Sequence, residues 1–309
     1  MSSTLLFGNG FNRISNASFD WESLVMQGFE SPPGDVYDLV PLPLITEAHA
    51  AIAGNMIGMR NKDGYKEFRE KIQKTIDEAG LQPNEIHSLF RSLSFSNFIT
   101  TNYDDCFERA RDGWVERKIG PAGYRNILNP VGTVDGRPLY HAHGRHKWSR
   151  TICVSYEHYM SLIGKIQSEL RKGLPAVERK DVSSYQDVSD VDLLEGYLRC
   201  CNAEDCIWPT LLFTSDVHIV GLGLSFSEID LWWLLSMRAA YFAPKKQRRS
   251  LENSILYYDV DIGGAEAKAA DRAKRYMLGN LGVEVVTVSA EDYKEGYKTI
   301  CSMIEARIG

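Results

Sequence analysis

The sequence has no pair of cysteines in C-x-x-C spacing, although it contains six cysteines. It lacks any run of about 20 apolar residues, the length needed to span a bilayer. Its first residues lack a secretory signal, because the apolar run Leu5–Phe7 stops at Gly8. These absences argue against a membrane protein and against a secreted disulfide scaffold, and they predict a cytoplasmic protein with reduced thiols.

The sequence also lacks an excess of basic residues, since its formal net charge is -6. Nucleic-acid-binding domains usually carry a basic excess, so direct binding to nucleic acid is not expected. What is present is an ordinary globular composition, with 44% hydrophobic and 25% charged residues. Such a composition indicates a sizeable core.

Six short apolar runs predict buried strands, and helical patterns separate most of them. This alternation predicts an α/β fold, a Rossmann-like parallel sheet flanked by helices on both faces. The predicted strands cover Thr4–Phe7, Phe98–Thr101, Leu139–His143, His218–Gly221, Ile255–Tyr258 and Val283–Val288. The predicted helices cover Gly64–Ala79, Ala265–Leu278 and Ala290–Ile308.

Two intervals between predicted strands are longer than one crossover helix requires. The first, at about residues 32–83, is interpreted as a helical insertion containing a helix at Ile45–Met59. The second covers about residues 162–210. We therefore predict one domain over residues 1–309 that carries two helical insertions.

The first motif is LFGNGFNR at Leu6–Arg13, where a strand runs straight into a glycine turn. Glycines let a backbone approach a phosphate, and the next helix N-terminus adds favourable N–H dipoles. The G-x-G-x-x-G pattern is incomplete, because Arg13 occupies the third glycine position. A tight strand-to-helix turn is the alternative interpretation.

The second motif is FITTNYDD at Phe98–Asp105, an apolar strand that ends in polar residues. Ligands in open α/β sheets bind beyond the carboxyl ends of the strands, which places Asn102 and Asp104 at a site. Either aspartate can instead cap the following helix. We assign the capping role to Asp105 and the functional role to Asn102 and Asp104.

The third motif is LYHAHGRH at Leu139–His146. His141 and His143 would share one face if both lay on the strand. Core packing is the usual role of a single histidine, but a His-Gly pair at a strand end favours catalysis. Three clustered histidines also raise the hypothesis of a metal site, although no companion ligand spacing completes one.

The fourth motif is HIVGLGLSFS at His218–Ser227, a second strand that ends in a glycine turn. Ser225 and Ser227 can hold ribose or phosphate oxygens, or they can cap the helix that follows.

In this order the four motifs resemble the NAD-binding core of sirtuins, and more closely the sirtuin-like NAD hydrolases of bacterial anti-phage defence. Sirtuins carry G-A-G-x-S, Q-N-x-D, H-G and G-x-S elements. The matching segments here are Gly8–Gly10, Thr101–Asp104 (with Thr in place of Gln), His143-Gly144 and Gly221–Ser225. The resemblance covers about half of the chain and neither insertion.

The resemblance implies that NAD is the substrate and that the bond between nicotinamide and ribose is cleaved. It implies that Asn102 orients the ribose or an attacking water, that His143 is the base, and that Asp104 contacts the nicotinamide carboxamide. The remaining NAD contacts that it implies are Gly8, Asn9, Gly10, Asn12, Thr101, Gly221, Gly223 and Ser225.

The sequence departs from sirtuin deacylases between the third and fourth motifs. The deacylases hold a structural zinc there with two C-x-x-C pairs, whereas this interval has only Cys153, Cys200, Cys201 and Cys206, unpaired in spacing. We therefore expect no metal, and plain NAD cleavage rather than protein deacylation.

Other functions remain open at this point. The chain can be a sensor or scaffold that binds NAD or ADP-ribose without turnover, a sirtuin-type deacylase or ADP-ribosyl transferase, or a metal hydrolase built on His141 and His143. Because an uncontrolled NAD hydrolase would kill its own cell, we expect a gating partner protein or a homo-oligomer. The Trp232–Leu235 run is a candidate interface, or else part of a core helix.

Overall fold

Eight β-strands form the scaffold of the protein. The computed structural model describes residues 2–16, 19–20, 40–56, 61–117, 127–171, 197, 207–242, 253–263 and 269–309. The strands are β1 (Ser3–Phe7), β2 (Asn97–Thr100), β3 (Trp114–Glu116), β4 (Gly132–Val134), β5 (Arg137–His141), β6 (Asp216–Val220), β7 (Ile255–Asp261) and β8 (Glu284–Ser289).

These strands make one sheet in the order β3-β4-β5-β2-β1-β6-β7-β8. The six strands from β5 to β8 in that order pair in parallel, and β3 and β4 add an antiparallel ribbon at one edge. Numbered along the chain, the six parallel strands lie in the order 3-2-1-4-5-6, which is the Rossmann order. The direction of winding reverses between β1 and β6, and ligands of such sheets bind at that reversal.

Helices connect the strands and cover the sheet. They are α1 (Gly10–Arg13), α2 (Leu42–Met56), α3 (Asn61–Ala79), α4 (Glu85–Ser92), α5 (Cys106–Arg109), α6 (Tyr156–Arg171), α7 (Trp208–Thr214), α8 (Ile229–Phe242), α9 (Ala269–Asn280) and α10 (Tyr293–Ile308), with a 3-10 helix at His146–Thr151. None of the helices in the described ranges is long and apolar enough to cross a bilayer.

Apolar side chains bury both faces of the central parallel strands. On β1, Leu6 belongs to the core on one face, while Leu5 and Phe7 belong to the core on the other. Ile99 and Phe98 of β2 divide in the same way. The continuous apolar runs in the sequence therefore reflect strands that are covered on two sides.

The fold class predicted from the sequence is confirmed, and a strand lies at each of the six predicted positions. The third predicted strand, Leu139–His143, is shifted, because β5 begins at Arg137 and ends at His141. As a result His143 lies beyond the strand, and the alternation that would have placed it on the same face as His141 does not apply.

The sequence analysis missed the antiparallel ribbon of β3 and β4. Its turn into β5 is Asp135-Gly136, and both residues have positive φ, at 53° and 79°. Two such residues in a two-residue hairpin are typical of a type I′ turn, for which Asp-Gly is a preferred sequence. The dipeptide was therefore a usable signal, but strands of three residues are too short to show alternation.

Two helices lie within the first predicted insertion. The helix predicted at Ile45–Met59 corresponds to α2, which begins three residues earlier, at Leu42, while residues 57–60 lie outside the described residues. Helix α3 follows from Asn61. For the second predicted insertion, α6 crosses position 162 with Leu162 and Ile166 buried in the core. Residues 172–196 and 198–206 lie outside the described residues, so the remainder of that predicted insertion is not part of the description.

Helix α3 docks onto the loop that follows β5. Arg69 Nε donates to the Ile152 carbonyl at 3.0 Å, and His146 Nδ1 lies 3.0 Å from Asp77 Oδ1. Burial alone would lower the pKa of His146, but Asp105 and Asp77 raise it above its ordinary value. The His146–Asp77 pair thus ties the first insertion to the segment that follows His143.

This pair predicts a pH-dependent contribution to stability. Because the folded-state pKa of His146 is raised, the contribution is complete below the unfolded pKa of about 6.5 and is lost as pH rises through the folded pKa. We expect Asp77→Asn to lower the melting temperature by about 1–2 °C at low pH, because the pair is partly exposed. Thermal melts near pH 6 and near pH 9 measure the difference.

Glu78→Gln is the matched control for this prediction. Glu78 is the next residue on α3 and pairs with Lys74 at 3.6 Å on the surface. This surface pair contains no histidine, so the effect of the substitution is expected to be constant between about pH 6 and pH 9. An Asp77→Asn effect that is equally constant would show that His146 is not the titrating partner.

Candidate functional site

The glycine turns after β1 and β6 pack directly against each other. The Gly10 N–H donates to the Gly221 carbonyl at 2.7 Å, and the Gly8 N–H donates to the Val220 carbonyl at 3.4 Å. A Cβ atom on Gly10 would lie 2.7 Å from Gly221 Cα, and one on Gly8 would lie 2.9 Å from Leu222 Cα. These glycines therefore allow the two turns to meet where the winding of the sheet reverses.

Asn12 connects the first motif to the second. Its Nδ2 donates to Asp104 Oδ2 at 2.7 Å and to Asn9 Oδ1 at 3.0 Å. Asn9 in turn donates to the Phe19 carbonyl at 3.0 Å. Asn12 is only 2% exposed, and its Oδ1 has no hydrogen-bond partner among the described residues. This oxygen is a buried acceptor beside Asp104 that a ligand N–H can satisfy.

The side-chain capping bond of the second motif comes from Asp104 and not from Asp105. Asp104 Oδ1 accepts from the Cys106 N–H at 2.9 Å, so Asp104 caps α5. Asp105 stands at the N-cap position but makes no capping bond, and it pairs instead with Arg109 and Lys147 at 2.7 and 2.8 Å. The sequence analysis assigned capping to Asp105 because nothing local shows that Lys147, from beyond β5, reaches its carboxylate.

Asn102 and His143 lie at equivalent positions just after two neighbouring strands. Thr100 of β2 pairs with His141 of β5, and each functional residue follows its strand by two positions. Asn102 is 2% exposed and donates from Nδ2 to the Gly8 carbonyl at 3.2 Å, which joins it to the first glycine turn. Thr101, also buried, donates its N–H to the Phe7 carbonyl at 3.2 Å.

A buried network of charged side chains holds the Asn102 backbone. His141 Nδ1 lies 2.8 Å from the Asn102 carbonyl, and His141 Nε2 lies 3.0 Å from Glu108 Oε1. Arg145 NH2 lies 3.3 Å from the same carboxylate oxygen. Burial alone would raise the pKa of Glu108, yet His141 and Arg145 lower it. His141 therefore holds the backbone of Asn102, whereas His143 contacts Asp230.

His143 forms an ion-paired contact with Asp230, in the first turn of α8. His143 Nε2 lies 3.0 Å from Asp230 Oδ2 and 3.3 Å from Oδ1, and both side chains are buried. Burial alone would lower the pKa of the imidazole, but Asp230 and then Glu228 raise it. The Tyr159 ring meets the imidazole edge to face at 5.2 Å.

Glu228 adds a second carboxyl group beside His143. The residue is partly exposed, but the surrounding protein makes burial the main cause of the shift in its pKa. Burial and the nearby Asp230 charge raise the pKa of Glu228 to about 7, against the opposing effect of His143. Glu228 can therefore gain or lose a proton near neutral pH, as groups at functional sites often do.

The fourth motif forms an exposed rim. Gly223 and Ser225 are exposed, and the Ser225 carbonyl accepts from Trp232 Nε1 at 3.0 Å. Ser225 Oγ accepts from the Ser227 N–H at 3.2 Å and makes no capping bond to α8, which begins at Ile229. Leu224 is buried with φ at 47°, a left-handed conformation that is costly for a residue with a Cβ.

The structure thus brings residues of all four motifs together, with Gly223 and Ser225 on the exposed rim, and adds residues that the sequence analysis missed. Asp230, Glu228 and Glu108 all touch or approach a predicted residue. Asp230 had a weak signal, because an acid in the first turn of an apolar helix is favoured by the helix dipole. Glu108 had none, since a buried carboxylate in a short helix looks like an ordinary surface residue.

The metal hypothesis finds no support in the arrangement of the histidines. His141 and His143 have different partners, Glu108 and Asp230. In the described ranges no three His, Cys, Asp or Glu side chains are grouped so that they could hold an ion. Cys200, Cys201 and Cys206 lie outside the described residues, while Cys106, Cys153 and Cys301 are buried and form no disulfide among the described residues.

Comparison with known proteins identifies one similarity. A family model described as a SIR2-like domain matches residues 96–182. The matched segment covers a little more than a quarter of the chain and includes β2, Asn102, Asp104, β5 and His143. No curated protein matches the chain. The chain is thus similar to sirtuin-like proteins, and this similarity supports an activity related to NAD.

Proposed function

We propose that the protein is an NAD glycohydrolase, which converts NAD and water into nicotinamide, ADP-ribose and a proton. The observation that carries the proposal is the placement of Asn102 and His143. Both follow neighbouring parallel strands in the same register, beside the glycine turns at which the winding of the sheet reverses. The similarity to a SIR2-like domain covers both residues.

The reaction needs orientation and charge stabilisation more than covalent chemistry. Nicotinamide leaves readily from NAD because its ring nitrogen is cationic, and the ribose becomes oxocarbenium-like as the bond breaks. Asn102 carries an amide that can orient a ribose hydroxyl or a water. His143 can take the proton of the attacking water once its imidazole is neutral.

Two groups of the site suit the nicotinamide carboxamide. Asp104 Oδ2 and Asn12 Oδ1 are acceptors at the first and second motifs, and Asn12 Oδ1 has no partner within the described residues. A carboxamide supplies N–H donors, so it can satisfy the buried oxygen. We propose that the glycine turns and Ser225 contact the ribose or the phosphates.

Incubation of the purified protein with NAD tests the proposal. Free nicotinamide and ADP-ribose should appear in equal amounts, with no requirement for an acylated peptide. Release that depends on such a peptide would make the protein a deacylase, and tight binding of NAD without release at any protein concentration would make it a sensor. Both outcomes would overturn the proposed hydrolase activity.

We propose a role in anti-phage defence, in which NAD depletion is held off until a signal arrives. Activity should therefore depend on a partner protein or on self-assembly. The Trp232–Leu235 run lies in α8, where Leu234 and Leu235 are buried and both tryptophans pack partly buried against the core. Nicotinamide release measured over a range of protein concentrations tests this gating, and full turnover per chain at every concentration would contradict it.

We also expect that neither folding nor activity needs zinc. A structural zinc site needs four closely spaced ligands, usually supplied by C-x-x-C pairs that this sequence lacks. Elemental analysis of the purified protein should find no stoichiometric zinc. One zinc per chain, together with unfolding by a chelator, would contradict this expectation.

A further inference from the structure

A carboxylate that no sequence motif pointed to lies against the predicted base. Asp230 is fully buried, and His143 is 2% exposed. The two oxygens of Asp230 lie 3.0 and 3.3 Å from the same ring nitrogen, Nε2 of His143. An ionised carboxylate only accepts hydrogen bonds, so Nε2 must carry a proton in this contact.

The other ring nitrogen of His143, Nδ1, can accept a proton. Nδ1 of His143 has no hydrogen-bond partner among the described residues. This atom is also not completely buried, because the completely buried unpartnered side-chain atoms of the described residues do not include it. When the ring is neutral, the proton held on Nε2 leaves the lone pair on Nδ1. The opposite tautomer would place two lone pairs, on Nε2 and on Asp230, against each other without a proton between them.

We propose that Asp230 is a positioning residue that fixes His143 in the Nε2–H tautomer and makes Nδ1 the atom that accepts the proton during NAD cleavage. This inference rests on the proposed function for its catalytic part, while the tautomer is a property of the free protein. Asp230 sits in the first turn of α8, where the helix dipole favours a carboxylate.

The surroundings of the ring limit the groups that can produce this effect. The ionisable side chains that contact the ring or act on it are Asp230 in the first turn of α8, Glu228 just before α8, and Tyr159 on α6. Tyr103 and Cys153 in turn lie near Tyr159. Burial raises the pKa of Tyr103 and Tyr159 well above the ordinary value, so both are neutral near pH 7. Glu228 acts on the ring by charge, with no hydrogen bond to it in the described structure.

The sign of the pH dependence follows from this arrangement. Because Asp230 raises the pKa of His143, the imidazole becomes a neutral base only as pH rises through that raised value. Asp230→Asn removes the negative charge but keeps the size of the side chain. We expect it to move the acid limb of the kcat/KM profile to lower pH, and to lower kcat about tenfold by loosening the ring and its tautomer.

The decisive experiment is a long-range ¹H–¹⁵N correlation spectrum of full-length protein labelled at histidine, recorded without NAD across a pH series. A His143→Gln spectrum assigns the His143 signals. The wild-type protein should show neutral His143 protonated on Nε2 and a pKa above the ordinary histidine value. Asp230→Asn should lower that pKa and weaken the preference for the Nε2–H form.

Two further variants separate position from charge. Glu295→Gln removes an acid from the first turn of another helix, α10, and should leave the His143 signals and the activity unchanged. Glu228→Gln should lower the pKa of His143 while keeping the Nε2–H tautomer.

Finding neutral wild-type His143 protonated on Nδ1 would overturn the inference. So would an unchanged His143 pKa and tautomer in Asp230→Asn. A protein that shows the expected spectra but no turnover of NAD at any protein concentration would overturn the proposed catalytic role of Nδ1 together with the hydrolase activity, and the tautomer assignment would stand. The spectra and the turnover assay therefore separate the two failures.

Discussion

His143→Gln should lower nicotinamide release at least ~10²-fold, the low end of the loss expected when a positioned base is removed. Glutamine is preferred to alanine because His143 lies on a fully buried carboxylate, and an unpaired buried charge is strongly destabilising. Its amide can still donate to Asp230 but cannot take up a proton. Asn102→Ala should cause a loss of the same order, because the oriented ribose or water is lost.

Turnover and thermal melts of the same preparations are the measurements. His141→Gln is the matched control, since His141 is an equally buried histidine two residues away whose partners are Glu108 and the Asn102 carbonyl. Its main expected effect is a lower melting temperature. Near-normal turnover by well-folded His143→Gln protein would rule out His143 as the base and would favour the sensor function.

Gly10→Ala should destabilise the protein by about 1–3 kcal/mol, the usual cost of forcing atoms into a packed site. The added Cβ would clash with Tyr297 Oη and would lie 2.7 Å from Gly221 Cα. The buried tyrosine ring can shift, but the Gly221 backbone is part of the turn after β6. The two glycine turns must therefore separate, and nicotinamide release should fall together with stability.

Gly223→Ala provides the matched control, because Gly223 is also a predicted NAD contact but has no atom within 4 Å of an added Cβ. Its stability should change by less than about 0.5 kcal/mol. The double variant Gly10→Ala with Tyr297→Phe removes only the hydroxyl clash and should recover only part of the loss. Chemical denaturation of all three variants gives the values. A Gly10→Ala protein as stable as the wild type would show that the turns do not need their close approach.

The strands and the glycine turns could be predicted from the sequence because their signals lie within short stretches of the chain. A central parallel strand must be apolar on both faces, so runs such as Leu5–Phe7 and Phe98–Ile99 identify it without knowledge of its partners. The turn residues follow directly in the chain. Because parallel strands end at one edge of the sheet, the convergence of Asn102 and His143 could also be predicted from the fold class alone.

The hydrogen-bond and charge partners of Asn102 and His143 could not be predicted in the same way. Asp230 lies 87 positions after His143, and Glu108 lies 33 positions before His141. Nothing in the local sequence of Ile229–Leu235 shows which side of the helix turns toward the sheet edge. The capping bond made by Asp104 instead of Asp105 was missed for the same reason, since Lys147 reaches Asp105 from beyond β5.

The central position of β1 has a consequence for the order in which the protein can fold. β1 lies between β2 and β6, and Thr4 Oγ1 meets Ser215 Oγ at 2.7 Å across a separation of 211 positions. During synthesis the first strand can pair with β2 long before β6 leaves the ribosome, and until then one edge of an apolar strand has no neighbour. Contacts between residues so far apart in the chain also slow folding. The N-terminal half of the chain is therefore expected to depend on the later half, or on a chaperone, to avoid aggregation.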